Sequence, residues 1–276
     1  MKHIVCYSGG HSSALVAIEV VGKYGKENCV LLNHDISAWV ENADIKRFKN
    51  EVAEYLGMEI TYANIKGLPA EQLPDQFDVV VAADAFKVGT GTELCTSRLK
   101  TEPFMKWLKE NIPDQDCTIY YGFDANETVR IQRRTGILGA QGYKTAYPLA
   151  FWEDRKVQST NDVGILPPNT YESFKHANCV GCLKAGKQHW YVVYCTRQDI
   201  WEKAKWAEDE IGYSIIKGTY LVELEDMFEK MKLSGVPTTE HIKHQTFWKI
   251  ARDTVKDYEK QMLNEEKDIK PCECVF

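Results

Sequence analysis

Over its first 150 residues the chain alternates short apolar runs with amphipathic stretches, and this alternation restricts the fold more than any other feature. Residues 4–7, Ile-Val-Cys-Tyr, read as a buried strand, and 12–24 read as a helix. Residues 29–33 centre on Val30-Leu31-Leu32 and read as a second strand. A helix over 43–56 ends at Gly57, and 59–62 reads as a third strand. Residues 78–82 are another apolar run, Val79-Val80-Val81 at its centre. Residues 102–111 read as a helix with Pro103 in the first turn, where proline fits, and 118–122 as another strand. Strands alternating with helices imply parallel crossovers and a sheet covered on both faces. The expected fold is therefore α/β, an open parallel sheet with helices on both faces over 1–195. A mainly helical C-terminal extension is expected over 196–276.

A chain of 276 residues, 44% hydrophobic and 27% charged, suits one large domain or a domain with an appendage. The net charge of -6 gives no general basic face for nucleic acid, although it allows a local patch. No apolar run approaches the ~18 residues of a membrane helix, so no membrane partner is expected. The start runs straight into a strand, which predicts no secretory signal. Nine cysteines without such a signal point to a reducing, cytoplasmic compartment, with thiols free or on metal. Beyond residue 150 the pattern changes. Residues 164–169 hold two prolines and read as a connector, 190–195 is mixed, and 199–211 is helical. Residues 238–265 form a long polar helical pattern with Trp248, Ile250 and Val255 on one face. Trp190, Trp201 and Trp206 are expected to pack a core.

Between the first strand and helix stands Ser8-Gly9-Gly10-His11-Ser12-Ser13. A helix N-terminus presents unpaired N–H groups and partial positive charge, which suits phosphate. The glycines let backbone approach a ligand, and the serines add hydroxyl donors. Neither GxxxxGK[ST] nor GxGxxG is present. A plain strand–turn–helix with small residues for close packing is the competing reading.

The segment resembles the SGGxxS loop of the PP-loop pyrophosphatase superfamily, an adenine nucleotide α-hydrolase-like α/β fold whose loop holds the phosphates of ATP or of an adenylyl substrate. Many members carry Lys and Asp at the positions of His11 and Ser12, so a phosphate-facing charge is missing here. More residues resemble the phosphoadenylyl-sulfate (PAPS) reductase family within it. Asp35 after the second strand, Gly122 to Glu127 followed by Arg130, Tyr147-Pro148-Leu149 with Trp152, and Cys179-x-x-Cys182 match in order over roughly residues 3–190. Phe123 takes the usual Arg place. The resemblance implies an enzyme that binds ATP or an adenylyl nucleotide with Mg2+ through Ser8, Gly9, Gly10, His11, Ser12, Ser13, Asp35 and Gly122. Of the two catalytic candidates here, Arg130 would meet the charge developing at the α-phosphate and Asp35 would hold Mg2+ or adenosine, with Arg133 and Arg134 as further sources of positive charge.

Cys95, in Glu93-Leu94-Cys95-Thr96-Ser97-Arg98-Leu99-Lys100, resembles the first of a Cys-Cys pair in iron–sulfur members, with Thr96 at the second place. Cys95, Cys179 and Cys182 would then hold three corners of a [4Fe–4S] cluster, the usual complement being four. Zn2+ is the alternative, and no metal a third reading. The fourth corner would be open or closed by Cys272 or Cys274. The family's reductases also carry a nucleophilic Cys near the C-terminus, and Glu273-Cys274 matches two of its residues. Cys6, Cys29 and Cys117 read as small buried hydrophobes. Lys184, Lys187 and His189 read as a solvated loop or as groups facing phosphate. The leading function is adenylation-dependent sulfur transfer, with tRNA or DNA as acceptor. The alternatives are reduction of phosphoadenylyl or adenylyl sulfate, a non-catalytic nucleotide-binding subunit with partner subunits, and a zinc-stapled nucleic-acid binder. A homodimer is compatible with each.

Overall fold

The computed structural model describes residues 1–268 except 65, 66, 88, 90–92 and 178. The chain divides into two compact units, one of residues 1–172 with 176–182, the other of 173–175 with 183–276. Residues 183–195, expected within the first domain, thus group with the second unit.

The first unit is built on five strands, β1 (Lys2–Cys6), β2 (Cys29–His34), β3 (Ile60–Ala63), β4 (Cys117–Tyr120) and β5 (Lys144–Ala146). All pair in parallel, in the order β3-β2-β1-β4-β5. The fold is α/β and Rossmann-like. Central β1 places Ile4 against Val30 of β2 and Ile119 of β4. The sheet grows outward from β1 to β3 and then resumes on the other side of β1 with β4, so the switch point lies between β1 and β4.

Both faces of the sheet are covered. Val5 packs with α1 (His11–Tyr24) and α2 (Ala43–Leu56) in a core that includes Ala14, Val16, Phe48 and Val52. Ile4 and Ile119 face a second core with Phe104, Leu108, Ile131 and Leu138. Side chains alternate across a strand, so successive residues of β1 supply both cores, and the run needs no polar position. The Asn42 side chain caps α2 by accepting from Asp44 N–H, and Gly57 ends it in the left-handed conformation.

The 78–82 run is helical, not a strand: α3 spans Gln76–Ala82. The Asp75 carboxylate accepts from Phe77 and Asp78 N–H, while Asp78 accepts from Asp75 N–H. This capping box fixes the first turn, and Phe77 and Val80 are then buried a helical turn apart. Local capping outweighs the strand preference of three valines. Next come α4 (Leu94–Thr96), a π-helical turn Ser97–Thr101 and α5 (Glu102–Asn111). Beyond β4 lie α6 (Thr128–Gly139) and the short α7 (Pro148–Phe151).

The second unit is helical: α8 (Lys187–Thr196), α9 (Gln198–Ile211), α10 (Glu225–Leu233) and α11 (His244–Asp268). Trp190 and Trp201 are fully buried, whereas Trp206 is 42% exposed and belongs to no core. Among the described side chains of α11, Phe247 and Ala251 are buried, and Trp248, Ile250 and Val255 are half-buried. His189 is buried with its Nδ1 2.6 Å from Glu240 Oε1, which corrects the solvated-loop reading for that residue. No helix among the described residues is long and apolar enough to cross a membrane.

Gly122, just after β4, stands against the first turn of α1. A Cβ there would lie 2.9 Å from the Ser12 carbonyl carbon and 3.0 Å from Ser13 N. Backbone on both sides cannot yield cheaply, so Gly122→Ala is expected to destabilise the fold by about 1–3 kcal/mol. Chemical denaturation checks it, and an unchanged midpoint contradicts the packing role.

Candidate active site

The strands are parallel, so the loops after β1, β2 and β4 gather on one edge of the sheet, where open α/β sheets bind ligands. Ser8–Ser13, Asp35 and Gly122 all stand on that edge.

The turn after β1 depends on Gly9, whose φ is +82°. A Cβ at Gly9 would lie 2.7 Å from Lys49 Cγ, so both conformation and space exclude a side chain. Gly10 is the N-cap of α1, and no side chain caps it. The Ser13 hydroxyl is buried and donates to the Gly10 carbonyl at 2.8 Å, while accepting from Ser8 at 3.2 Å. Ser13 therefore shapes the loop from inside, whereas Ser8 and Ser12 are exposed. The Tyr171 hydroxyl accepts from His11 N–H at 3.0 Å. His11 Nε2 accepts from Thr160 N–H at 3.2 Å, so its proton sits on Nδ1. Burial lowers its pKa, which keeps the ring neutral. His11 is thus tied to the 160–163 turn and does not replace the missing loop lysine.

Asp35 follows β2 and opens into a 460 Å³ pocket with Glu41, Lys46, Lys49, Tyr62 and Asn64. Burial raises its carboxyl pKa, with Lys49 opposing and Glu41 adding. Lys49 is buried and pairs with buried Glu41 at 2.7 Å. The same lysine carries the aliphatic stem that lies beneath Gly9.

The cysteines meet this edge through Lys100. Negative charge on Cys179 raises the Lys100 pKa, against burial, and Cys182, Cys95 and Glu41 add to it. Burial pushes the Cys179 thiol up, with Lys100 opposing. Cys95 and Lys100 lie on the α4–π-turn segment, a distortion that recurs at functional sites. The Cys179–Cys182 turn is pinned from two sides. Val180 N–H donates to the Val40 carbonyl at 2.9 Å, and the Gln76 amide donates to the Val180 carbonyl at 2.8 Å. Among the described residues, no three His, Cys, Asp or Glu side chains are grouped as ligands of a single metal ion. The charges of Cys179, Cys182 and Cys95 all act on Lys100.

Arg130 and Arg134, on the same helix, lie in different surroundings. Arg130 is 63% exposed, pairs with Glu127 and stacks over Phe123 at 4.2 Å. Arg134 faces inward. It lies over the Tyr121 ring at 5.4 Å, and its charge acts on Cys6 and His34. Cys6 is only half-buried as a residue, but burial of its thiol pushes the pKa up to about 12. Burial first, then the charges of Lys100 and Arg134, push His34 down to about 3. Its Nδ1 is buried and makes no hydrogen bond among the described residues.

Cys272 and Cys274 lie outside the described residues. Sequence reasoning missed Lys49 with Glu41, Gln76, Tyr171 and the inward role of Lys100. Only Lys100 had a sequence signal, its place five residues beyond Cys95. The chain was compared with protein-family models, with curated proteins and with solved structures, and nothing matches it.

His34 gives a pH signature. Unfolded, it takes a proton near its ordinary pKa of 6.5; folded, only near 3. Stability from neutral His34 is therefore complete above 6.5 and falls as pH drops toward 3, by about 1.4 kcal/mol per unit. Urea denaturation at pH 7, 6 and 5 should show a steeper acid loss in the wild type than in His34→Phe. Equal slopes contradict the assignment.

Proposed function

We propose that the protein is a PAPS reductase-like enzyme of the PP-loop superfamily. In this reading it binds ATP or a related adenylyl nucleotide and acts at the α-phosphate or at sulfur carried on it. The observation that carries the reading is the start of α1. Its N-cap, Gly10, has no side chain to cap it, Ser8 and Ser12 are exposed, and it lies at the β1–β4 switch point, with the His11 N–H held by the Tyr171 hydroxyl. Phosphates would rest on the N–H groups of this turn. Lys100 and Arg134 supply charge that the His11 position lacks, and they replace Arg130 in that role. Asp35 has Lys46 and Lys49 in its pocket, which makes it a better acceptor for ribose hydroxyls than a Mg2+ ligand. Mg2+ would then be held mainly by the phosphates and water. An acceptor attacking the α-phosphorus forms its bond there and releases pyrophosphate, whose charge the helix turn meets.

The sulfur role rests on Cys95, Cys179 and Cys182 around Lys100. Soft thiolates suit a [4Fe–4S] cluster, with Zn2+ as the alternative. When bound, the cluster would supply a site for sulfur or electron transfer.

Two measurements test the reading. Calorimetric ATP titration should find binding that weakens about tenfold or more in a Ser8→Ala, Ser12→Ala variant, with unchanged circular dichroism. Equal affinity overturns the nucleotide assignment. Anaerobic purification should give a brown protein with iron and sulfide that Cys179→Ser loses. A colourless wild type without iron removes the cluster and leaves the nucleotide site standing.

A further inference from the structure

The loop after β4, α6 and α7 carry an aromatic cluster that nucleotide-phosphate binding does not use. Tyr121, Phe123 and Tyr147 lie nearly parallel, with centroids 5.4, 6.1 and 6.0 Å apart and interplanar angles of 14–24°. Phe151 stands edge-on to Tyr147 at 6.4 Å and is 66% exposed. The cluster is rigidly held, because the Tyr147 hydroxyl donates to the Ile131 carbonyl and lies 2.8 Å from the Thr135 hydroxyl. Arg130 lays its guanidinium over Phe123 at 4.2 Å while remaining 63% exposed, so its outer face is a second open π-surface. Single exposed rings are ordinary on protein surfaces. A buried, hydrogen-bonded stack that ends in an exposed ring and an exposed guanidinium is a different feature.

The charge along this segment bears on the occupant. In a chain of net charge -6, residues 124–156 carry the cations Arg130, Arg133, Arg134, Lys144, Arg155 and Lys156 against the acids Asp124, Glu127, Glu153 and Asp154, a local excess of positive charge. Glu127 balances Arg130 alone. Aromatic faces beside a local excess of cations match a backbone of phosphates that carries flat, accessible bases. A duplex hides its base faces in the stack, so the complementary form is single-stranded.

We infer that Phe151, with Arg130 and Arg133, forms a stacking platform for an unpaired base of a single-stranded nucleic acid. Calling that strand the acceptor rests on the proposed function; the platform itself does not.

The test uses the full chain and fluorescence anisotropy with labelled RNA and DNA strands of the same sequence, each about 12 nucleotides, and the matching duplex. The wild type should bind a single strand more tightly than the duplex. Phe151→Ala should weaken this about tenfold, a typical loss for one stacked base, and Phe151→Trp should restore it. Arg133→Ala should lower the salt slope by about one. Tighter binding of RNA or of DNA supports the platform equally and tells whether the 2′-hydroxyl is read. Absence of single-strand binding, a duplex preference, or unchanged affinity in Phe151→Ala overturns the inference. ATP titration of the same samples separates the two readings. ATP binding without strand binding removes the platform alone, and strand binding without ATP binding removes the nucleotide assignment alone.

Discussion

Strand β1 has no solvent face. It pairs with β2 on one side and β4 on the other, Ile4 fills one core and Val5 the opposite one, and Gly122 closes the space above it by resting on the α1 backbone. Every loop of the candidate site inherits its position from this strand. The turn through Gly9 and Gly10 must leave β1 and enter α1 within a few residues. It does so only because Gly9 adopts a positive φ over the Lys49 stem. The helix that results is held against the β4 loop at a distance no side chain would permit.

Charge is the second organising principle of this edge. Lys49 and Glu41 are both buried, and neither would be tolerated there alone. Glu41 also acts on Lys100, the lysine that the three cysteines share. One carboxylate thus acts on both the lysine beneath Gly9 and the lysine whose charge the thiols feel. His34 remains neutral because the same region is rich in cations and poor in water.

Much of the loop chemistry was legible. The Ser-Gly-Gly turn, the strand-end Asp35 and Gly122 all stand where alternation of strands and helices would place them. The roles within the loop were not legible. Ser13 turned inward, His11 was engaged by Thr160, and Tyr171, distant in sequence, took the first helical N–H. Arg130 and Arg134 lie four residues apart on one helix, and nothing in their spacing says which faces the sheet. The pairing of Arg130 with Glu127 and its stacking on Phe123 decide it.

By itself the sequence determined the α/β class, because unbroken apolar runs between amphipathic stretches can be buried only in a covered parallel sheet. It also determined the glycine turn, since that geometry depends on the residue type itself. Tertiary structure decided the rest. It made a helix of the valine run at 79–81, because a capping box fixed its first turn. It formed β5 from Lys144, Thr145 and Ala146, an edge strand with no apolar signal, by pairing it with β4. It brought Lys100 together with cysteines far apart in the chain. Such pairings arise from which elements become neighbours, and local pattern carries no record of neighbours that are distant in sequence.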